Sequence, residues 1–176
     1  MASPFQCQIG LRAQEVIASL AGRPRTDVIT SAAVLGEAAA VLKLRPLSAD
    51  RRRGAQLVGS LARAYVRGFR PSPEWELVGS EIELGSGRVD LLWRHRRARR
   101  LLIDELKAER GRDVGPDPED LDQVERYHRD AILAFPRHEV TVRLIILGPP
   151  TRCHVFVRPD DFLAARTRRA GGFDHG

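Results

Sequence analysis

Two stretches decide how this chain is read: Gly87-Arg-Val-Asp90-Leu-Leu-Trp93 and, beyond the basic run Arg94-His-Arg-Arg-Ala-Arg-Arg100, Leu101-Leu-Ile-Asp-Glu-Leu-Lys107. Each is a short apolar run bounded by turn residues, with Gly85-Ser-Gly87 before the first and the charged run before the second, the pattern of successive strands. Alternation along the second strand puts Leu101, Ile103, Glu105 and Lys107 on one side, and Leu102, Asp104 and Leu106 on the other. Glu105 and Lys107 therefore project together near the strand end, while Asp104 faces away and reads as structural. Asp90 lies late in the preceding strand. Simple antiparallel pairing across the charged turn is expected to separate Asp90 from Glu105, so that a twist or a bulge has to bring them together. Lys107 stands out by type as well, because it is one of only two lysines among 29 basic residues. A GC-rich genome accounts for part of that arginine bias.

Working outward, the first third reads as helical. Leu11 to Leu20 is amphipathic and closes at Gly22 and Pro24. Thr26 or Asp27 caps a second helix through Leu44, with Val28, Ala32, Leu35, Ala39 and Leu42 at helical spacing. Asp50 to Arg67 forms a third, whose apolar stripe includes Leu57, Leu61 and Tyr65, and Gly68 stops it. Trp75 to Leu84 is a strand ahead of the two already quoted. A polar loop, Arg110 to Glu119, leads into a helix from Asp120 to Phe135, with Asp120 near its cap and Pro136 beyond its end. Val140 to Leu147 is β-branched and apolar throughout, as suits a strand buried on both faces. Pro149-Pro150 turns the chain into a strand from Cys153 to Val157, and Pro159-Asp160 starts a last helix that thins into a tail. The order ααα-βββ-α-β-β-α predicts one α/β domain over 1–176, a central mixed sheet flanked by helices. Within it, 1–48 is an N-terminal helical extension, 49–165 the core and 166–176 a flexible tail.

At 176 residues with 43% hydrophobic content, the chain can bury one core but scarcely two. No apolar run approaches the roughly 20 residues that span a bilayer, and the N-terminus lacks the basic start and apolar stretch of a secretory leader. Cys7 and Cys153 are too few for a disulfide framework or a zinc knuckle, which fits free thiols in a reducing cytoplasm. A net charge of +6 favours a polyanionic partner. Arginine suits phosphate, since its planar fork donates two parallel hydrogen bonds.

The acids and the lysine form a set with a definite chemistry. Phosphodiester hydrolysis needs charge neutralised on the scissile phosphate and a nucleophile made from water. Two carboxylates can hold Mg²⁺, a hard ion that prefers oxygen ligands, and the carbonyl of Leu106 between Glu105 and Lys107 is placed as a further ligand. The ion polarises a phosphoryl oxygen and acidifies water, and a neighbouring lysine stabilises developing negative charge. The helix that follows carries Gln123-Val-Glu-Arg-Tyr127, whose Gln and Tyr, four apart, share a face.

Strand-Asp, strand-Glu-x-Lys, then helix-Gln-x-x-x-Tyr resembles the PD-(D/E)XK nuclease superfamily, the Gln-x-x-x-Tyr helix being typical of its RecB-type exonuclease branch. The resemblance covers roughly Asp50 to Val157 in the order α-β-β-β-α-β and implies a restriction-endonuclease-like core. It implies Asp90 and Glu105 as metal ligands, Lys107 as the catalytic lysine, and Gln123 and Tyr127 as residues that position water or the nucleic-acid backbone. Mg²⁺, with Mn²⁺ able to substitute, would be the cofactor, and DNA rather than RNA the substrate. The family's proline before the first acid is absent. Many members also carry a Glu in the helix before the first strand, where this chain has Gln56; Glu37, Glu81 or Glu83 are the substitutes, with Glu81 and Glu83 favoured as nearest the strand pair. A rival reading is a nuclease-fold protein that lost the chemistry and serves as a nucleic-acid-binding or scaffold subunit.

Arg94, Arg96, Arg97, Arg99 and Arg100 form the densest basic run and are the candidate phosphate contacts; Arg166, Arg168 and Arg169 are a weaker second patch. Without interleaved aromatics, backbone contacts are expected rather than base stacking. His95 and His128 lack metal-like spacing and read as surface residues. The N-terminal helices offer a face for a homodimer or a protein partner.

Overall fold

A computed structural model of the protein describes residues 4–23, 34, 38, 49–108, 116–148 and 150–170. In chain order these form α1 (Pro4–Ala21), α2 (Ala49–Gly68), β1 (Trp75–Leu84), β2 (Gly87–His95), β3 (Arg100–Lys107), α3 (Pro118–Ala134), β4 (Glu139–Ile146), β5 (Arg152–Phe156) and α4 (Pro159–Ala170). The strands make one mixed sheet in the order β1-β2-β3-β4-β5. Neighbours are antiparallel except β3 and β4, which are parallel. A parallel pair needs a crossover, and α3 lies in it. The chain is thus a single α/β domain. The helix expected over 26–44 falls outside the described residues except Val34 and Ala38, both buried.

A core lies on each face of the sheet. On one, Val16, Ile17 and Leu20 of α1 and Val58, Ala62 and Tyr65 of α2 pack against Leu91, Trp93, Leu102 and Leu106. On the other, Leu121, Val124 and Tyr127 of α3 and Phe162 of α4 pack against Leu92, Leu101, Ile103 and Val142. Each fully buried aliphatic or aromatic side chain contributes about 1.5–3 kcal/mol. Covered twice, β3 is buried from Leu101 through Leu106, which explains its near-continuous apolar run. The cost is that Asp104 and Glu105 are taken out of water with it.

The strand register corrects one expectation. Leu91 pairs with Asp104, Leu92 with Ile103, Trp93 with Leu102 and Arg94 with Leu101. The recorded pairs end there; continued by one step, this register would set Asp90 opposite Glu105, so the turn of 96–99 carries the two acids to the same end of the hairpin. The expected irregularity does occur, and it aims Asp90. Strict alternation would put Val89 and Leu91 on one face, yet they belong to opposite cores. The pair kinks between them, and across the ladder Glu81, flanked by Ser80↔Leu91 and Ile82↔Val89, has a left-handed backbone with φ 53°. A non-glycine residue held there stores strain of about 1–3 kcal/mol.

Candidate active site

The site sits at the carboxyl end of β3, where the sheet opens between α1 and α3. Asp90 Oδ2 accepts the Leu106 backbone N–H at 2.7 Å. The side chain thus takes a donor that the β2–β3 ladder no longer uses. Gln14 of α1 reaches the same place: its Nε2 donates to Asp90 Oδ2 at 3.1 Å and to the Leu106 carbonyl at 3.1 Å. Both partners are acceptors, which fixes the amide nitrogen toward them. Burial, and then the charge of Glu105, pushes the Asp90 carboxyl up from 3.8 to about 8, against the opposing pull of the Leu106 N–H. Glu105 is raised for the same first reason, burial, with Lys107 pulling it back. Both acids are therefore harder to ionise here than they would be in water.

Glu105 divides its two oxygens. Oε1 meets Lys107 Nζ at 3.0 Å, whereas Oε2 is buried and has no hydrogen-bond partner. Lys107 reaches two more groups, Asp120 Oδ1 at 3.1 Å and Gln123 Oε1 at 2.8 Å. Burial lowers its pKa, but Glu105 and Asp120 outweigh that and hold it above the ordinary lysine value. Gln123 Nε2 then donates to Tyr127 Oη at 2.7 Å, and Tyr127 donates to the Arg88 carbonyl at 2.7 Å. Tyr127 is 4% exposed, so it serves this relay from within the core. Gly87 makes room for it: a Cβ there would lie 2.6 Å from the tyrosine ring.

The sequence pattern puts Asp120 near the helix cap. The helix instead begins at Pro118, whose fixed φ and missing N–H suit the first helical position, with Asp117 as N-cap. That start carries Asp120 into the first turn and onto Lys107. Asp120, Gln123 and Tyr127 fall at i, i+3 and i+7, one face of a helix, a spacing that the sequence already contains. Gln14 carries no comparable signal, since it lies 76 residues from Asp90.

Asp104, on the other face of β3, has a different role. Its carboxylate accepts Tyr65 Oη at 2.6 Å, Trp93 Nε1 at 3.1 Å, and Arg143 Nε and Nη2 at 2.7 and 2.8 Å. Arg143 also donates to the Phe69 carbonyl at 2.8 Å. Asp104 is structural, as alternation implies.

The alternatives for a further acid separate clearly. Gln56 is exposed on α2; the helical residue that reaches Asp90 is Gln14 of α1. Glu81 lines the same cleft as Gln14, Glu15, Asp90 and Leu106, a cavity of about 430 Å³. Its charge adds to the upward push on Asp90 and Glu105, and it pairs with Arg88 at 3.5 Å. Glu83 is largely exposed, 3.9 Å from Arg88. Glu37 lies outside the described residues.

The basic run lies at the far end of the β2–β3 hairpin. From Asp90 to His95, the last residue of β2, is five residues, about 17 Å at roughly 3.3 Å per residue, and the turn of 96–99 lies beyond. Arg94 pairs with Glu76, and Arg100 with Glu139 at 3.0 Å. Arg96, Arg97 and Arg99 are exposed. In α4, Arg166 is engaged by Glu125 and Asp122, which removes it from the second patch. His128, read from the sequence as a surface residue, is buried, 3.1 Å from the Val157 carbonyl. Cys153 is a free thiol, and among the described residues no helix is long and apolar enough to cross a membrane.

Among the described residues no three His, Cys, Asp or Glu side chains are gathered as a metal cage. The oxygens of Asp90, Glu105 and the Leu106 carbonyl nevertheless suit a hard cation, which holds few protein ligands and keeps waters. The orphaned Glu105 Oε2 fits such an ion as well, since a buried charged oxygen without a partner is costly. The chain matches no known protein family and no curated protein.

Proposed function

We propose that the protein is a Mg²⁺-dependent nuclease of the PD-(D/E)XK type, hydrolysing phosphodiester bonds in DNA. The observation that carries this reading is the buried Glu105 Oε2, unpartnered, on a side chain near enough to Asp90 for its charge to raise that carboxyl. Asp90, Glu105 and the Leu106 carbonyl would hold the ion, with Mn²⁺ able to replace Mg²⁺. When bound, the ion supplies positive charge for the phosphoryl group and acidifies water. The chain's own residues do the rest. Lys107, held between carboxylates, stays an ammonium and stabilises charge that develops on the phosphate. Gln123 and, behind it, Tyr127 fix that ammonium. Arg96, Arg97 and Arg99 would contact the backbone of a duplex some distance from the scissile bond.

Incubation with linear, circular and branched DNA and Mg²⁺ or Mn²⁺ tests this directly. Cleavage that Asp90→Ala and Lys107→Ala each reduce by about 10³-fold or more is the expected result. Equal and negligible cleavage by parent and variants would sink it. One observation favours a second reading, a nucleic-acid-binding subunit without chemistry: Gln14 brings an uncharged amide, not a carboxylate, to Asp90. DNA binding intact in the absence of any cleavage would be its mark.

A further inference from the structure

We propose that Asp120 is a positioning residue that keeps Lys107 in place while Glu105 exchanges one partner for another; this rests on the nuclease reading above. An ammonium has three donors and no acceptor. Lys107 has three oxygens within reach: Glu105 Oε1 at 3.0 Å, Asp120 Oδ1 at 3.1 Å and Gln123 Oε1 at 2.8 Å. Every donor is committed, and none is left for a water or a phosphate. For Lys107 to act, one acceptor has to let go.

The three acceptors differ in their freedom to do so. Gln123 is fixed from behind, because Tyr127 holds its amide and the Arg88 carbonyl holds Tyr127. Asp120 is mostly buried in the first turn of α3, where the helix dipole favours a carboxylate. Glu105 alone has a second use in view, its Oε2 lying buried without a partner. Glu105 is therefore the acceptor that turns away, and one Lys107 donor becomes free on the side where Glu105 stood. Asp120 and Gln123 keep the other two. Without Asp120, a single neutral acceptor would remain, and Lys107 would swing after Glu105 or out to solvent.

The composition supplies a clean probe. Lys43 and Lys107 are the only lysines, so lysine-selective labelling gives two side-chain ammonium signals, assigned with Lys43→Arg. Asp120→Asn and Asp120→Ala should each speed proton exchange at the Lys107 ammonium several-fold at an unchanged melting temperature, and Asp120→Glu should restore most of the protection. In cleavage, Asp120→Asn should lower kcat by about 10- to 100-fold with KM for DNA unchanged. Calorimetric Mg²⁺ affinity without DNA should also be unchanged. Lys107 exchange indifferent to Asp120 overturns the proposal, and so does Mg²⁺ affinity falling in step with kcat, which would make Asp120 a ligand. A parent inert toward DNA whose Lys107 exchange still depends on Asp120 upholds the anchoring and overturns only the nuclease reading.

Discussion

Asp104 and Glu105 are neighbours on one strand, both buried, and they meet opposite treatment. Asp104 faces α2 and receives four hydrogen bonds, from Tyr65, Trp93 and both arms of Arg143. Burial and the Asp104 charge hold the Tyr65 hydroxyl well above its usual pKa. On Arg143 burial works the other way, but Asp104 outweighs it and the guanidinium stays charged. Glu105 faces α3 and shares one oxygen with Lys107, while the other has no partner. A buried carboxylate whose lone pairs are all used belongs to the architecture. One with an oxygen left over, beside a second acid that resists ionisation, is destabilised in a way the fold does not need. The difference separates two acids that composition and burial alone would treat alike.

The contrast breaks most visibly in stability. Asp104→Ala leaves the Arg143 guanidinium buried without its counter-charge, which should cost about 3–5 kcal/mol. Glu105→Gln removes a charge from an apolar site and should change stability by about 1 kcal/mol or less, in either direction, while abolishing cleavage. Urea unfolding followed by circular dichroism measures both. Similar losses from the two substitutions would erase the distinction.

The same difference should appear in the pH dependence of stability. Asp90 titrates at about 8 in the folded chain against an ordinary 3.8. Between roughly pH 4 and 8 the folded state holds a proton that the unfolded chain has released. Its contribution to stability is therefore full below about pH 4 and is lost as pH rises through 8. The slope for one proton is at most about 1.4 kcal/mol per pH unit, smaller over any one unit than the Asp104 effect. Asp90→Asn should flatten this part of the curve, so parent and variant should diverge with rising pH. Parallel curves would mean that Asp90 is better solvated than its surroundings imply. By the same linkage, Mg²⁺ should stabilise the parent more at the alkaline end.

Gly87→Ala tests the relay behind Lys107 at a smaller expected cost. The new methyl would lie 2.6 Å from the Tyr127 ring, and the tyrosine has to shift away from the Arg88 carbonyl. A loss of about 1–3 kcal/mol is expected from such overpacking, together with reduced cleavage. Gly85→Ala, which adds a Cβ 2.4 Å from Asp130 at a left-handed φ of 54°, should be destabilising as well, yet leave Lys107 untouched.

Much of the site is legible in the sequence because period-2 alternation is a local property. It separates Glu105 from Asp104, and helical spacing joins Gln123 to Tyr127. What stays hidden depends on contacts between distant parts of the chain. Asp90 and Glu105 come to the same end of the hairpin because the length of the 96–99 turn sets the register, and strand pattern does not report register. Gln14 arrives from a helix whose place over the sheet is decided by the packing of Val16, Ile17 and Leu20. Asp120 is closer to view, and escapes only when the helix is started past Pro118 rather than at it.

The smallest expected effect concerns the far end of the same hairpin, where charge is abundant and nothing is buried. Arg96, Arg97 and Arg99 are exposed in the turn, beyond the stretch of about 17 Å that runs from Asp90 to the end of β2 at His95, a span of roughly five base pairs of a duplex at ~3.4 Å each. On the nuclease reading they would touch phosphates without reaching the reacting bond. Replacing them with Gln should weaken DNA binding at low salt and reduce the slope of log K against log salt by about 0.9 for each phosphate no longer neutralised, with kcat unchanged. Filter binding across a salt series measures the slope. An unaltered slope would remove the turn from the interface and leave the acids as the sole functional end of the hairpin. A fall in kcat would mean instead that the two ends communicate, and that the division between a chemical end and a binding end is too sharp.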